Sequence, residues 1–339
     1  MSERSEPASR SPLRKLTGVQ IVGTGSFLPD NVVTNEDLAS LGCDADWIVQ
    51  RTGIHERRHA PIGMNTSDMA IAAAERCLES SGVKRSEIDL LILATFTPDR
   101  LLPATATTVQ DRLGLNCGAM DLSAACAGFV YALLTGMQFV ATGGSKRALV
   151  IGVDTNSRMV DPKDPKTFPL FGDGAGAVIL APGSPEQGAV SYTLGSEGDG
   201  ADFLCRPAGG TANPYREEVL KDRSSYLSMD GRAVFKWAVR LVDEVSRQVV
   251  EAADLSIDQI DWWLLHQANV RIIDAAVENL EIDREKVIIN LDRYGNTSAG
   301  TVPIALDETL QAGKIQRGQH LLMSGFGAGL AWGTTVWRW

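Results

Sequence analysis

The 339-residue chain is short of cysteine, histidine and basic charge, and each shortage removes a class of function. Its five cysteines (Cys43, Cys77, Cys117, Cys126 and Cys205) are odd in number and scattered, with no CxxC pair. That usage argues against a disulfide framework or a zinc site, and it fits a reducing, cytoplasmic setting. Four histidines and no carboxylate cluster leave no suggestion of a metal. Asp and Glu outnumber Lys and Arg by 42 to 32, a formal net charge of −10. Nothing in that balance would draw nucleic-acid phosphates. No apolar run is long enough to span a membrane. The N-terminus, Met1-Ser-Glu-Arg-Ser-Glu-Pro, is polar and lacks the apolar core of a signal peptide. Residues 1–16 have too few apolar groups to offset ordering entropy and read as a disordered tail. Gly23-Thr-Gly25 lacks the third glycine of a dinucleotide loop, since Leu28 stands there. Phe171-Gly-Asp-Gly-Ala-Gly176 is not followed by the lysine of a phosphate loop.

What is present is an internal repeat. Glu87-Ile-Asp-Leu-Leu-Ile-Leu-Ala-Thr95 parallels Gln259-Ile-Asp-Trp-Trp-Leu-Leu-His-Gln267. The offset from position 87 to position 259 then recurs twice: Cys126-Ala-Gly-Phe-Val130 parallels Ser298-Ala-Gly-Thr-Val302, and Ala148-Leu-Val-Ile parallels His320-Leu-Leu-Met. Two copies of one unit follow, residues 17–183 and 184–339. Within each, continuous apolar segments such as Ile88–Ala94 and Ala148–Val153 read as buried strands. Met69–Leu78, behind a Thr66-Ser-Asp cap, reads as an amphipathic helix. Such alternation indicates an α/β layered fold with mostly parallel sheets.

Cys126 lies in Asp121-Leu-Ser-Ala-Ala-Cys126-Ala-Gly128, between a strand-like stretch and the helix-like Val130-Tyr-Ala-Leu-Leu. A thiol in the first turn of a helix meets unpaired N–H groups and the positive end of the dipole, which favour a thiolate. The alternative on the residues alone is a buried structural cysteine. By the repeat, the equivalent helix start carries Ser298. His55 and His59 sit in a charged segment read as solvated, and His320 before a strand is read as exposed. His266 ends the apolar run Trp262–Leu265, and strand ends are where open α/β sheets build sites. A satisfied, half-buried histidine is the competing reading. Asn296, in Tyr294-Gly-Asn-Thr-Ser-Ala-Gly300, is either a helix cap or a border of the same cleft.

Taken together, Cys126 in Ala-Ala-Cys-Ala-Gly-Phe, His266 in His-Gln-Ala-Asn and Asn296 in Gly-Asn-Thr-Ser-Ala resemble β-ketoacyl-acyl-carrier-protein synthase III, a thiolase-fold condensing enzyme family. Trp47-Ile-Val-Gln-Arg-Thr-Gly-Ile54, Phe171–Ala177 and Gly325–Gly333 extend the likeness across the chain after the tail. The resemblance implies a five-layer αβαβα sandwich built from two duplicated halves, and a homodimer. It implies that Cys126 takes an acyl group from acyl-CoA and passes it to decarboxylating malonyl-carrier protein, with no cofactor beyond the substrate CoA. His266 and Asn296 would hold the enolate. The N–H groups of Cys126 and Ala328 would form the oxyanion hole.

By the same resemblance, Trp47, Arg51, Met229, Gly231, Phe235, Asn269 and Phe326 would contact CoA. Leu102, Phe171 and Leu227 would shape the acyl pocket. Lys236 and Arg271 match carrier-protein docking positions. The sequence adds Arg232 and Arg240 at i, i+4, i+8 spacing with Lys236, one helix face. Three departures stand out: Pro165 where an adenine-clamping Arg is usual, with Lys166 beside it; Leu102 where a Phe is usual; and Glu278 where the docking patch is usually basic. They keep open a related acyltransferase of specialised metabolism with another donor or acceptor. A thioester hydrolase and a catalytically dead scaffold are the readings from other classes.

Overall fold

The structure, a computed structural model, describes residues 10–339. In chain order the elements of its first part are β1 Leu13–Thr17, β2 Val19–Phe27, β3 Val32–Thr34, α1 Ala45–Thr52, β4 Glu56–Arg58, α2 Thr66–Ser81, β5 Leu90–Ala94, α3 Thr105–Arg112, β6 Gly118–Leu122, α4 Gly128–Ala141, β7 Ala148–Thr155 and β8 Asp173–Pro182. They continue as β9 Gly188–Ser196, β10 Leu204–Cys205, α5 Glu217–Lys221, β11 Ser228–Met229, α6 Gly231–Glu251, β12 Trp262–Leu265, α7 Val270–Leu280, α8 Leu291–Tyr294, α9 Thr301–Gln311, β13 His320–Gly327 and β14 Ala331–Arg338.

Two five-stranded sheets dominate, in the orders β2-β8-β7-β5-β6 and β1-β9-β14-β13-β12. In the first, β5 runs parallel to both β6 and β7, while β8 is antiparallel to its neighbours. The second repeats the pattern: β12 is parallel to β13, and β14 is antiparallel to β13 and β9. A single parallel bridge from Trp263 to Val287 stands where a fifth repeated strand would pair.

Side chains alternate across each strand, so a strand covered on both faces must be apolar throughout. Along β5, Leu90, Ile92 and Ala94 join a core under α4 and α9, while Leu91 and Leu93 join a separate core under α2 and α3. Along β13, Leu321 and Met323 face that same central layer, and Leu322 faces α6 and α7. The result is five layers: α2 and α3, the first sheet, α4 and α9, the second sheet, α6 and α7.

Two expectations are corrected. Residues 10–16 are not a tail; residues 1–9 of that expectation lie outside the described residues. Leu13–Thr17 pair antiparallel with β9, which satisfies their backbone without any core of their own. Arg10 binds Glu244 at 2.7 Å and also Glu197, and the buried Ser11 hydroxyl meets that of Thr193.

The repeat, secondly, gains one residue in its second copy. Asp89 N donates to Arg147 O and Asp261 N to His320 O. The early mates, 89 and 261, thus keep the offset read from the sequence, and the later mates, 147 and 320, exceed it by one. A Cβ on Gly152 would meet Ala299 O at 2.3 Å, and one on Gly325 would meet Cys126 O at 2.9 Å. Ala127 N donates to Ala124 O and Gly300 N to Thr297 O, each at 3.0 Å. Ala125 and Ser298, with φ of 46° and 55°, therefore occupy equivalent places. Ala299, not Ser298, is the mate of Cys126.

Candidate active site

Cys126 follows β6 through a short 3-10 turn, Ala125–Ala127, that runs into α4. Ala125 takes the left-handed conformation (φ 46°), which bends the chain sharply enough to present the thiol at the head of an apolar helix. Strand β13 passes against it so closely that a Cβ at Gly327 would lie 3.2 Å from the sulfur and 3.3 Å from Cys126 N. Only glycine leaves that space open.

Burial pushes the Cys126 thiol up to about 12, with the Asp154 charge adding to the rise, while Ser298, the residue's own N–H and Asn296 pull it down. Burial therefore opposes the thiolate that the helix start favours. A rise of that size corresponds to about 4 kcal/mol, several times the roughly 0.3–1 kcal/mol that a helix N-terminus contributes. The thiol rests protonated.

His266 follows β12, where its N–H donates to Ser324 O at 2.8 Å. The ring is 2 % exposed, packs edge-on against Phe326 at 5.2 Å, and is held neutral by burial, with its pKa lowered to about 3. Its Nδ1 lies 2.7 Å from Thr301 Oγ1, which in turn lies 3.0 Å from Ser298 O. One hydroxyl proton can point at Nδ1 or at that carbonyl, so Thr301 supports either tautomer of the ring.

Asn296 is fixed by three contacts: its N donates to Leu170 O at 2.8 Å, its O accepts from Gly172 N at 3.0 Å, and its Oδ1 accepts from Ser298 N at 2.8 Å. With Oδ1 taken, the Nδ2 end turns toward Cys126, where it lowers the thiol pKa.

Cys126, His266 and Asn296 line one cavity with an empty volume of about 680 Å³. Phe171, Phe326, Met229, Gly231, Phe235 and Asn269 line it too. Leu170, Met229, Gly231, Phe235 and Asn269 also line a wider outer recess, which adds Trp47, Arg51, Arg232, Arg271, Pro165 and Lys166. The tunnel therefore runs from this mouth to the thiol. At the mouth the Arg51 guanidinium lies 5.5 Å from the Trp47 ring, and Arg271 lies 5.3 Å from the Phe235 ring.

Two residues expected to shape the acyl pocket do not line this cavity. Leu102 stands 85 % exposed on a loop, and Leu227 donates its N–H to Met159 O beside the cavity rather than in it. His59 is not solvated: it packs on Phe168 at 5.4 Å, its Nε2 is 3.3 Å from Phe171 O, and burial lowers its pKa despite the opposing charge of Asp173. His320 is half-buried at the start of β13 rather than exposed. Arg232, Lys236 and Arg240 are exposed along α6, Arg271 is exposed on α7, and so is Glu278. Cavity residues that sequence reasoning missed include Leu170, Leu204, Val234 and Ile272. The apolar spacing of α6 and α7 marks Val234 and Ile272, but nothing local marks Leu170 or Leu204. Among the described residues, no three or more His, Cys, Asp or Glu side chains converge as metal ligands would.

Comparison with known proteins places this geometry. A family model described as 3-oxoacyl-[acyl-carrier-protein] synthase III matches residues 120–198, and the model for the C-terminal part of that family matches residues 250–339. A β-ketoacyl-[acyl-carrier-protein] synthase III from Rhodopirellula baltica is 53% identical, covering 96% of this chain and 99% of the relative. The crystal structure of 3-oxoacyl-[acyl-carrier-protein] synthase III from Aquifex aeolicus VF5 superposes with a TM-score of 0.87 at 41% identity, over 95% of this chain and 100% of the other. The priming β-ketosynthase of the R1128 polyketide biosynthetic pathway superposes with a TM-score of 0.88 at 34% identity, over 98% of each chain.

Proposed function

This chain belongs to the β-ketoacyl-[acyl-carrier-protein] synthase III family of thiolase-like condensing enzymes, and from that premise we propose the residues and steps by which it works. It is an acyltransferase that initiates fatty-acid synthesis by condensing an acyl primer with malonyl-carrier protein. The observation that carries the residue assignment is the convergence of Cys126, His266 and Asn296 on one tunnel end.

In the first half-reaction the Cys126 sulfur attacks the acyl-CoA carbonyl. With the thiol pKa near 12, the S–H bond breaks as the C–S bond forms. The proton moves by way of His266 Nε2 to the departing CoA thiolate as the C–S bond forms, so that the ring ends the step neutral, leaving an acyl thioester and neutral CoA. Here the Thr301 hydroxyl accepts from Nδ1–H. In the second, malonyl-carrier protein loses CO2 and negative charge gathers on its thioester oxygen. Before this step the neutral ring exchanges its proton with solvent, losing it from Nδ1 and gaining one at Nε2; Nε2–H of His266 and Nδ2–H of Asn296 then donate to that oxygen, and Thr301 donates to Nδ1. The enolate carbon attacks the acyl thioester. The tetrahedral oxyanion sits between the N–H groups of Cys126 and Ala328, and the released sulfur takes a proton from solvent. Both half-reactions balance without a cofactor. Preorganised donors of this kind are typically the largest electrostatic term in acyl transfer.

Trp47 and Arg51 at the mouth offer an aromatic face and a cation to the CoA head. Phe171 bounds the acyl end. The cationic face Arg232, Lys236, Arg240, with Arg271 beside the mouth, is the docking surface for an acidic carrier protein; in a chain of net charge −10 such a patch steers that partner selectively. Residues 17–183 and 184–339 form the two duplicated halves. Leu101 and Leu102, 83 % and 85 % exposed, support a homodimer in which this loop is covered by the partner; light scattering of the intact protein reads that state. No helix among the described residues is long and apolar enough to cross a membrane, and a cytoplasmic location fits the cysteine usage.

The test is to supply acyl-CoA and malonyl-carrier protein together and measure CO2, β-ketoacyl product and free acid. CO2 and product in equal amounts support the reading. Acyl transfer without CO2 release favours the specialised acyltransferase, and free acid without malonate consumption favours a hydrolase.

A further inference from the structure

The repeat contains a second copy of the oxyanion hole, and that copy is filled. Mates in this part of the chain keep the longer offset, which pairs Asp154 with Gly327, Thr155 with Ala328, and Cys126 with Ala299. On the catalytic side, Gly327 has no side chain, and a Cβ there would already lie 3.3 Å from Cys126 N. The Cys126 N–H is left clear. On the other side stands Asp154, whose Oδ2 accepts from Ala299 N at 3.1 Å. Thr155 N, the mate of Ala328 N, donates to Thr97 Oγ1 at 2.8 Å. Both N–H groups that correspond to the oxyanion hole are thus taken by the chain's own oxygens.

Asp154 is fully buried, and its Oδ1 accepts four further hydrogen bonds. They come from Thr95 Oγ1 at 2.8 Å, Phe96 N at 2.9 Å, Thr97 Oγ1 at 2.9 Å and Thr97 N at 3.2 Å. Burial raises its pKa to about 6 against the pull of these donors, which leaves it ionised at neutral pH. A carboxylate held this way by donors and no cation is an anion in an anion site. It ties the loop after β5, in the first half, to the turn before α9 in the second. That turn carries the condensation chemistry: Ser298 N holds Asn296 Oδ1, and Ser298 O meets the Thr301 hydroxyl that supports His266. The Asp154 charge raises the Cys126 pKa, so activation of the thiol is not its purpose.

We propose that Asp154 is a resident anion in the mate of the oxyanion hole, and that by holding the Ala299 N–H it positions the Asn296–Thr301 turn for decarboxylative condensation. Asp154 is a positioning residue, not a catalytic one, and the inference rests on the roles given above to Cys126, His266 and Asn296.

Asp154→Asn keeps the shape but turns one oxygen into an N–H donor facing donors on either side. A buried donor left without a partner costs about 1.4–2.7 kcal/mol, a factor of roughly 10 to 100. The experiment measures the two half-reactions separately: acyl loading of Cys126 from acyl-CoA, and discharge of the preloaded enzyme by malonyl-carrier protein, expressed per acylated site so that unfolded protein does not count. Discharge is expected to fall by about 10- to 100-fold while loading stays near the wild-type rate. A proportional fall in both overturns the proposal and leaves Asp154 a general structural residue. Should Asp154→Asn fail to fold, Thr95→Val strips one Oδ1 donor and leaves the Ala299 contact. It is expected to lower discharge selectively and by less, and a proportional fall there overturns the proposal equally. Wild-type enzyme that neither loads nor releases CO2 defeats the functional reading itself, an outcome distinct from failure of this inference.

Discussion

Replacing Asn296 by Asp isolates the hydrogen-bond donor on which the condensation depends. Oδ1 of residue 296 accepts from Ser298 N at 2.8 Å, and the backbone is pinned on both sides by Leu170 O and Gly172 N. An aspartate keeps all three contacts and the same shape. What changes is the second terminal atom, from an N–H donor facing the malonyl oxygen to an acceptor with negative charge. Loss of one preorganised donor costs roughly 100- to 1,000-fold, about 2.7–4 kcal/mol, and like charge on the developing enolate adds to it. Asn296→Asp is therefore expected to discharge acyl-enzyme more slowly than Asn296→Ala, and Asn296→Ala at least about 100-fold more slowly than wild type. Acyl loading, in which the Nδ2 contact with Cys126 is one of several that lower the thiol pKa, is expected to fall by much less than discharge. The assay is single-turnover release of CO2 from labelled malonyl-carrier protein on enzyme acylated beforehand. An aspartate variant as active as the alanine variant, or a loading defect equal to the discharge defect, would refute the reasoning.

Three other expectations follow from the same geometry. Thr301→Val leaves His266 Nδ1 buried without a partner, so discharge should fall by about 10-fold or more, whereas Thr301→Ser, which keeps the hydroxyl, should restore it; stopped-flow turnover of both variants decides. Burial lowers the His266 pKa from 6.5 to about 3, so the unfolded chain binds this proton first on acidification. Its contribution to stability is complete above pH 6.5 and is lost as pH falls toward 3, so urea midpoints measured at several pH values should fall more steeply with acid in wild type than in His266→Gln. Charge reversal of Lys236 and Arg240 to Glu, on the exposed face of α6, should raise the KM for malonyl-carrier protein while leaving loading from acyl-CoA intact, and equal loss of both would remove the docking assignment.

How much was legible in the sequence depended on how local each cause was. Leu90–Ala94 read correctly as a strand because it is covered on both faces, and every residue in it is buried. That Cys126, His266 and Asn296 meet at one cavity was legible because each sits in a short motif at the end of an element. Residues 13–17 were not, because nothing local makes them a strand; their partner is β9, at the start of the second copy. The one-residue gain in the second copy was hidden because Ser298-Ala-Gly matches Cys126-Ala-Gly almost letter for letter at the wrong register, and the backbone contacts, such as the carbonyls over Gly152 and Gly325, reveal it. The burial of the thiol was hidden for a related reason. The helix start is visible in sequence, while the burial that outweighs it comes partly from the close approach of Gly327, in the other half of the chain.

The central claim is that one thiol carries the acyl group between two substrates. Intact-protein mass spectrometry of wild type and Cys126→Ala, first with a panel of acyl-CoAs and then with malonyl-carrier protein, tests it most directly. An acyl adduct is expected on wild type alone, removed on addition of malonyl-carrier protein with one CO2 and one β-ketoacyl product per adduct. An adduct that persists in Cys126→Ala, or product formed without any adduct on Cys126, would contradict it.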